Sequence, residues 1–114
     1  MCARSPLHAE FINTFPSWNG TDYIFSFGET DTATYGQTIT TNGTDVLLQD
    51  FSFLIRTTSS TPTNFQAYVM QWDSINSHAT GSVLFQSSAY SNPQGPDYVE
   101  IAVPAGVALA PSTE

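Results

Sequence analysis

No stretch of eleven or more residues in this chain repeats apolar positions at intervals of three and four, the spacing an amphipathic helix needs to bury one face. Short apolar runs occur instead, separated by Gly, Pro, Asn, Asp and Ser, and this is the pattern of an all-β chain. About seven strands are expected. The first lies near Glu10–Phe15, ended by Pro16 and the Asn19-Gly20 turn. The second is Tyr23–Phe27, with three aromatic rings on one face. The third is Thr32–Thr40, after an acidic turn. Asn42-Gly43 then reads as a hairpin turn, because both residues tolerate positive φ.

The next run, Val46–Arg56, is long and changes phase. Val46 and Leu48 share one parity, whereas Phe51, Phe53 and Ile55 share the other. A bulge or bend near Gln49-Asp50 reconciles them. Phe65–Trp72 is apolar on both faces, which suggests a strand covered on both sides, with Trp72 in the core. Asp73–Gly81 reads as a polar loop, Ser82–Ala89 as a further strand, and Ser91–Pro96 as a turn with two prolines. Tyr98–Val103 alternates, with Val99, Ile101 and Val103 expected inward. Val107–Leu109 looks like the approach to another strand. No repeat of 20 to 50 residues is visible, which argues against a solenoid or propeller.

Strands at this spacing indicate a two-sheet antiparallel β-sandwich of the jelly-roll or immunoglobulin-like kind. With 114 residues the chain fits one domain. Residues 1–9 are expected to be a flexible segment, 10–110 the sandwich and 111–114 a tail. Charged residues make up only 11% of the chain, so Thr, Ser, Asn and Gln must form most of its polar surface.

Ten acidic residues face two arginines, Arg4 and Arg56, with no lysine, for a net charge of −8. Phosphate neutralisation needs Lys or Arg, so nucleic acid is not an expected partner, and anionic membrane surfaces are disfavoured for the same reason. No run approaches the ~20 apolar residues of a membrane span. Cys2 is the single cysteine, which excludes an intrachain disulfide and a thiolate metal cluster. His8 and Glu10 interrupt any signal-peptide core after Met1, so nothing in this sequence reads as an export signal.

Four segments together resemble a known family. They are Ala33-Thr34-Tyr35-Gly36-Gln37-Thr38-Ile39, Leu48-Gln49-Asp50-Phe51-Ser52-Phe53, Phe65-Gln66-Ala67-Tyr68-Val69-Met70-Gln71-Trp72-Asp73, and Ala79-Thr80-Gly81-Ser82-Val83-Leu84-Phe85-Gln86-Ser87. Their order and spacing, across Gly28–Leu109, resemble the β-sandwich domains of bacterial exported and surface proteins that carry PEP-CTERM-type sorting tails. In that family a further strand usually follows, so the resemblance implies a sandwich whose last strand is missing here. It also implies an extracellular or cell-surface module, with carbohydrate as its ligand, more than any reaction.

The residues themselves offer little catalytic chemistry. His8 and His78 lie in no recognised motif, and Ser–His–Asp sets can be assembled from almost any serine-rich chain. The expectation is therefore a non-enzyme that needs no cofactor, with a small hydrolase using His78, an Asp and a Ser as the last-ranked alternative. Glu29 and Asp31 flank a turn and Asp73 opens a loop, which makes these three candidate calcium ligands, with Asp45 and Asp50 bracketing a strand. There is no EF-hand spacing, and scattered solvated carboxylates would look the same. Candidate sugar-binding residues are Trp18, Tyr23, Asp73, Asn76, His78 and Tyr90, because aromatic faces suit the apolar faces of pyranose rings. Trp18, beside Pro16 and Asn19, is the expected exposed aromatic.

Asn19-Gly20-Thr21 and Asn42-Gly43-Thr44 match the N-glycosylation pattern, a match that Asn-Gly turns also produce by chance. A second class of function follows from the missing strand. An exposed sheet edge invites a second copy to pair with it, giving a homodimer of a structural or assembly protein.

Overall fold

The computed structural model describes residues 10–23, 34–44, 46–57, 60–61 and 63–114. The chain divides into two compact units, Met1–Gly36 and Gln37–Glu114. The expected flexible segment 1–9 and strand Tyr23–Phe27, apart from Tyr23 itself, lie outside the described residues, as do Cys2, His8, Glu29, Asp31 and Asp45.

In the first unit the expected strand at Glu10–Phe15 is irregular. It runs into a short 3-10 turn, Phe15–Ser17, with Pro16 in its opening positions, where the missing N–H costs nothing. The Phe15 N–H is satisfied by the side chain of Asn13 at 3.0 Å.

The second unit is all-β. Its strands are β1 (Leu47–Ile55), β2 (Asn64–Phe65), β3 (Tyr68–Asp73), β4 (His78–Gln86), β5 (Tyr90–Ser91) and β6 (Val99–Ala108). They pair antiparallel in twos, β1 with β6, β2 with β5 and β3 with β4, and there is no α-helix among the described residues. Residues 34–40 form no strand, so the expected strand Thr32–Thr40 is absent over its described part. Asn42-Gly43 consequently turns no hairpin: the Asn42 carbonyl accepts the Ser112 N–H at 2.9 Å. The apolar residues of 34–40, Tyr35 and Ile39, are both exposed, so little burial favours a strand there.

The three pairs follow one another along two antiparallel arms of the chain. Thr41 N–H donates to the Thr113 carbonyl, and Leu109 N–H to that of Val46, which extends β1/β6 outward. Asn92 N–H reaches the Thr63 carbonyl and Ser87 N–H that of Ala67, so β2/β5 and β3/β4 join end to end. The unit is thus a single long hairpin whose tip is the four-residue loop between Asp73 and His78. It bends where Pro93, Gly95 and Pro96 interrupt the ladder and Thr57 makes a lone bridge with Gln94. There the Arg56 guanidinium lies over the Tyr98 ring, 4.7 Å from its centroid.

Two bulges re-aim the strands. Between Leu48 and Asp50 the register shifts, so that Gln49 alone faces Ala105 and Gly106; Gly106 has φ +58°, a conformation glycine adopts without strain. This is the phase change expected at Gln49-Asp50. A larger shift leaves Met70 opposite Gly81–Leu84, with Gly81 at φ +73°. Pro104 is tolerated inside β6 because the strand pairs with β1 alone, and a residue without an N–H can face outward.

Aromatic rings join the two halves of the folded ribbon. Phe51 of β1 meets Phe85 of β4 edge-on at 6.4 Å, Phe53 meets Phe65 at 5.7 Å, and Phe65 stacks on Tyr90 at 5.8 Å. Val103 is fully buried, with Phe65, Ala67 and Ser87 nearly so. The inward set expected on Tyr98–Val103 is therefore graded, since Ile101 is half-buried and Val99 exposed. Phe65–Trp72 splits into β2 and β3, and it is not a strand covered on both faces. Phe65 and Ala67 are buried, whereas Tyr68 is exposed and Trp72 only half-buried, because β3 has a single full-length neighbour.

Candidate functional site

The hairpin tip gathers three of the residues expected to bind ligand. Strands β3 and β4 continue to Asp73 and His78, which pair with each other, so the polar loop is four residues rather than nine. Asp73 Oδ1 accepts the N–H groups of Ile75 and Asn76 at 3.0 and 3.1 Å, and Oδ2 accepts the Asn76 side-chain amide at 2.8 Å. A carboxylate that caps a turn in this way substitutes for the main-chain bonds the turn lacks. Ser77 completes the turn at φ +56°. His78 Nε2 lies 4.0 Å from Asp73 Oδ2, and its Nδ1 lies 2.9 Å from the Ala79 carbonyl oxygen.

The side-chain and main-chain bonds from Asn76, then that from Ile75, hold the Asp73 carboxyl below its ordinary value, with His78 adding a smaller Coulombic contribution. Ile75 stands at the apex, 91% exposed. The tip therefore presents an apolar side chain beside an amide, an imidazole and an ionised carboxylate on a fixed backbone.

The remaining candidates lie elsewhere. Trp18 is half-buried, and its indole N–H donates to the Asp22 carbonyl, so it is not the exposed aromatic expected beside Pro16. Asn19 is the cause. Its Oδ1 accepts Thr21 N–H, Thr21 Oγ1–H and Asp22 N–H, and its Nδ2 donates to Asp22 Oδ2 at 2.6 Å, which folds the chain back over the indole. Tyr23, in the same unit, is exposed. Tyr90 is half-buried and its face is taken by Phe65, which removes it from a stacking platform.

Of the calcium candidates, Glu29 and Asp31 lie outside the described residues, and the Asp73 oxygens serve the turn. Among the described residues no group of three or more His, Cys, Asp or Glu is placed to hold a metal ion. No helix among them is long and apolar enough to cross a membrane.

Two features carried no sequence signal. Ser87 is buried where the ladder steps from β4 to β5; its Oγ accepts Ala67 N–H at 2.9 Å and donates to the Ser88 carbonyl. A small residue in a Ser-Ser-Ala run reads only as a strand end. The second feature is the C-terminal clamp. Thr41 donates from N and Oγ1 to the Thr113 and Ala110 carbonyls and accepts Thr113 N–H, while Glu114 offers its carbonyl to Trp72 N–H at 3.0 Å. The tail so lies between the start of the ribbon and the outer side of β3. A comparison with family models, curated proteins and solved structures finds no match to this chain.

Proposed function

We propose that the chain is a non-catalytic interaction module built as a β-sandwich, with a long ribbon folded over in jelly-roll manner and a sheet edge as its working surface. The supporting observation is the bond from Trp72 N–H to the Glu114 carbonyl. β3 has β4 on one side, and on the other it meets main chain from the tail, so this edge is able to take a strand. Among the described residues the strands pair two by two, and an edge with no full strand beside it is a template for another chain. The proposed occupant is a second copy, paired across a two-fold axis. The resemblance to exported surface domains would place such an assembly outside the cell.

Sedimentation velocity over a range of concentration and salt, with reductant present to keep Cys2 from bridging, tests this reading. The expected result is a dimer that strengthens with salt, because each copy carries a net charge of −8 and screening weakens the repulsion. A monomer at every concentration and salt would remove it.

The hairpin tip favours a second reading, in which Asp73, Asn76 and His78 contact a carbohydrate beside Ile75. Titration with neutral and acidic sugars, followed by the amide signals of residues 73–78, is expected to shift those signals selectively. Silence across both sugar classes would sink that reading.

A further inference from the structure

We infer that residues 112–114 form an exchangeable strap, and that in the proposed dimer each copy's strap seats on the β3 edge of its partner. This rests on the pairing of two copies proposed above and names the segment that crosses between them.

The seat is visible within one copy. The β1/β6 ladder closes at Leu109, whose N–H donates to the Val46 carbonyl at 2.7 Å. Beyond it the chain turns at Pro111 and Ser112, both exposed. Ser112 N–H then donates to the Asn42 carbonyl, Thr113 exchanges bonds with Thr41, and the Glu114 carbonyl accepts Trp72 N–H at 3.0 Å. A β3 edge that accepts this segment from its own chain accepts the identical segment from a second copy. Each bond given up within a copy is remade across the pair.

The turn supplies the bias toward exchange. Ser112 has φ +51°, in the left-handed region, where a Cβ crowds the following carbonyl oxygen. A residue held there without being glycine persists only while its surroundings impose it. Swinging the strap outward lets Ser112 become extended, and short strained connections are the ones that open into exchanged pairs. Inside the turn, Thr113 Oγ1–H donates to the Pro111 carbonyl at an exposed position where water replaces it. Opening the turn uncovers no core. Pairing β3 directly against β3 would instead displace the strap and forfeit its bonds to Thr41. Exchange keeps them.

The test mixes full-length chain labelled with heavy nitrogen with chain labelled with heavy carbon, under the salt that favours the dimer and with reductant present. Filtered NMR spectra are expected to show a contact between the Trp72 amide of one copy and Glu114 of the other. Ser112→Gly, which relieves the left-handed strain at an exposed position, is expected to raise the dissociation constant several-fold. Thr41→Val removes bonds that both states share, so it should leave that constant within about twofold; direct pairing of β3 edges would make it tighten instead. A dimer in which Trp72 meets Glu114 only within one copy overturns the exchange and leaves the second copy as occupant. So does a Ser112→Gly constant equal to that of the unsubstituted chain. A chain that stays monomeric throughout removes the exchange and the pairing together.

Discussion

Asp73 accepts hydrogen bonds from Ile75 and Asn76 on both oxygens, and these bonds are stronger to the ionised carboxylate, so its charge and the tip conformation are linked. Its folded-state value is depressed. The tip's stabilisation is therefore fully present above the ordinary carboxyl value and is lost as pH falls through the lowered folded one, which places the loss below about pH 4. Exchange of the Ile75 and Asn76 amides is expected to accelerate there, while amides of β1 keep their protection. Asp73→Ala should give the same local acceleration at neutral pH. Ser87 is a different kind of residue, because its role depends on burial. Ser87→Ala leaves the Ala67 N–H without its side-chain acceptor in a dry place, a loss of about 1–3 kcal/mol in denaturant unfolding. An unchanged midpoint would show that water reaches Ala67.

Elements became legible to the extent that alternation and burial coincide. β1 and its bulge could be read because Leu48 and Phe51 sit on opposite parities and both are partly buried in one ladder. Thr32–Thr40 has the same alternation, yet its described residues are irregular and exposed. Asn42-Gly43 has the composition of a hairpin turn, yet its partner, Ser112, lies 70 residues away, and no local signal encodes that distance. The candidate site was legible for Asp73, Asn76 and His78, whose closeness in sequence becomes closeness on one turn. It was not legible for Trp18 and Tyr90, whose faces are decided by Asn19 and Phe65. The bulge glycine gives an element-scale expectation. Gly106 at φ +58° has open space around it, so Gly106→Ala meets no clash and costs only the left-handed backbone, about 1–2 kcal/mol. A larger loss, measured by urea unfolding, would mean that the bulge itself fails to form.

At the scale of the whole second unit, a ribbon folded over one thin layer of rings depends on very few side chains. Phe65 touches Phe53 across the fold and Tyr90 along its own ladder, and Val103 is the one side chain among the described residues with no exposure. Truncating a buried phenylalanine costs about 3–5 kcal/mol. Domains hold roughly 0.05–0.15 kcal/mol per residue in total, so a unit spanning Gln37–Glu114 has little left after that loss. Phe65→Ala is therefore expected to open the fold between the two halves while the β3/β4 hairpin, closed by its own Asp73 turn, persists in part. Thermal melts should show a broad, early transition, with amides of residues 71–80 outlasting those of β1 and β6. Val99→Ala, at an exposed position on the same strand as Val103, is the control and should melt almost unchanged. If Phe65→Ala instead melts as sharply as the unsubstituted chain, the halves are joined by something other than the ring contacts, and the ladder running from Thr41 to His78 is a sheet in its own right rather than a ribbon held in a fold.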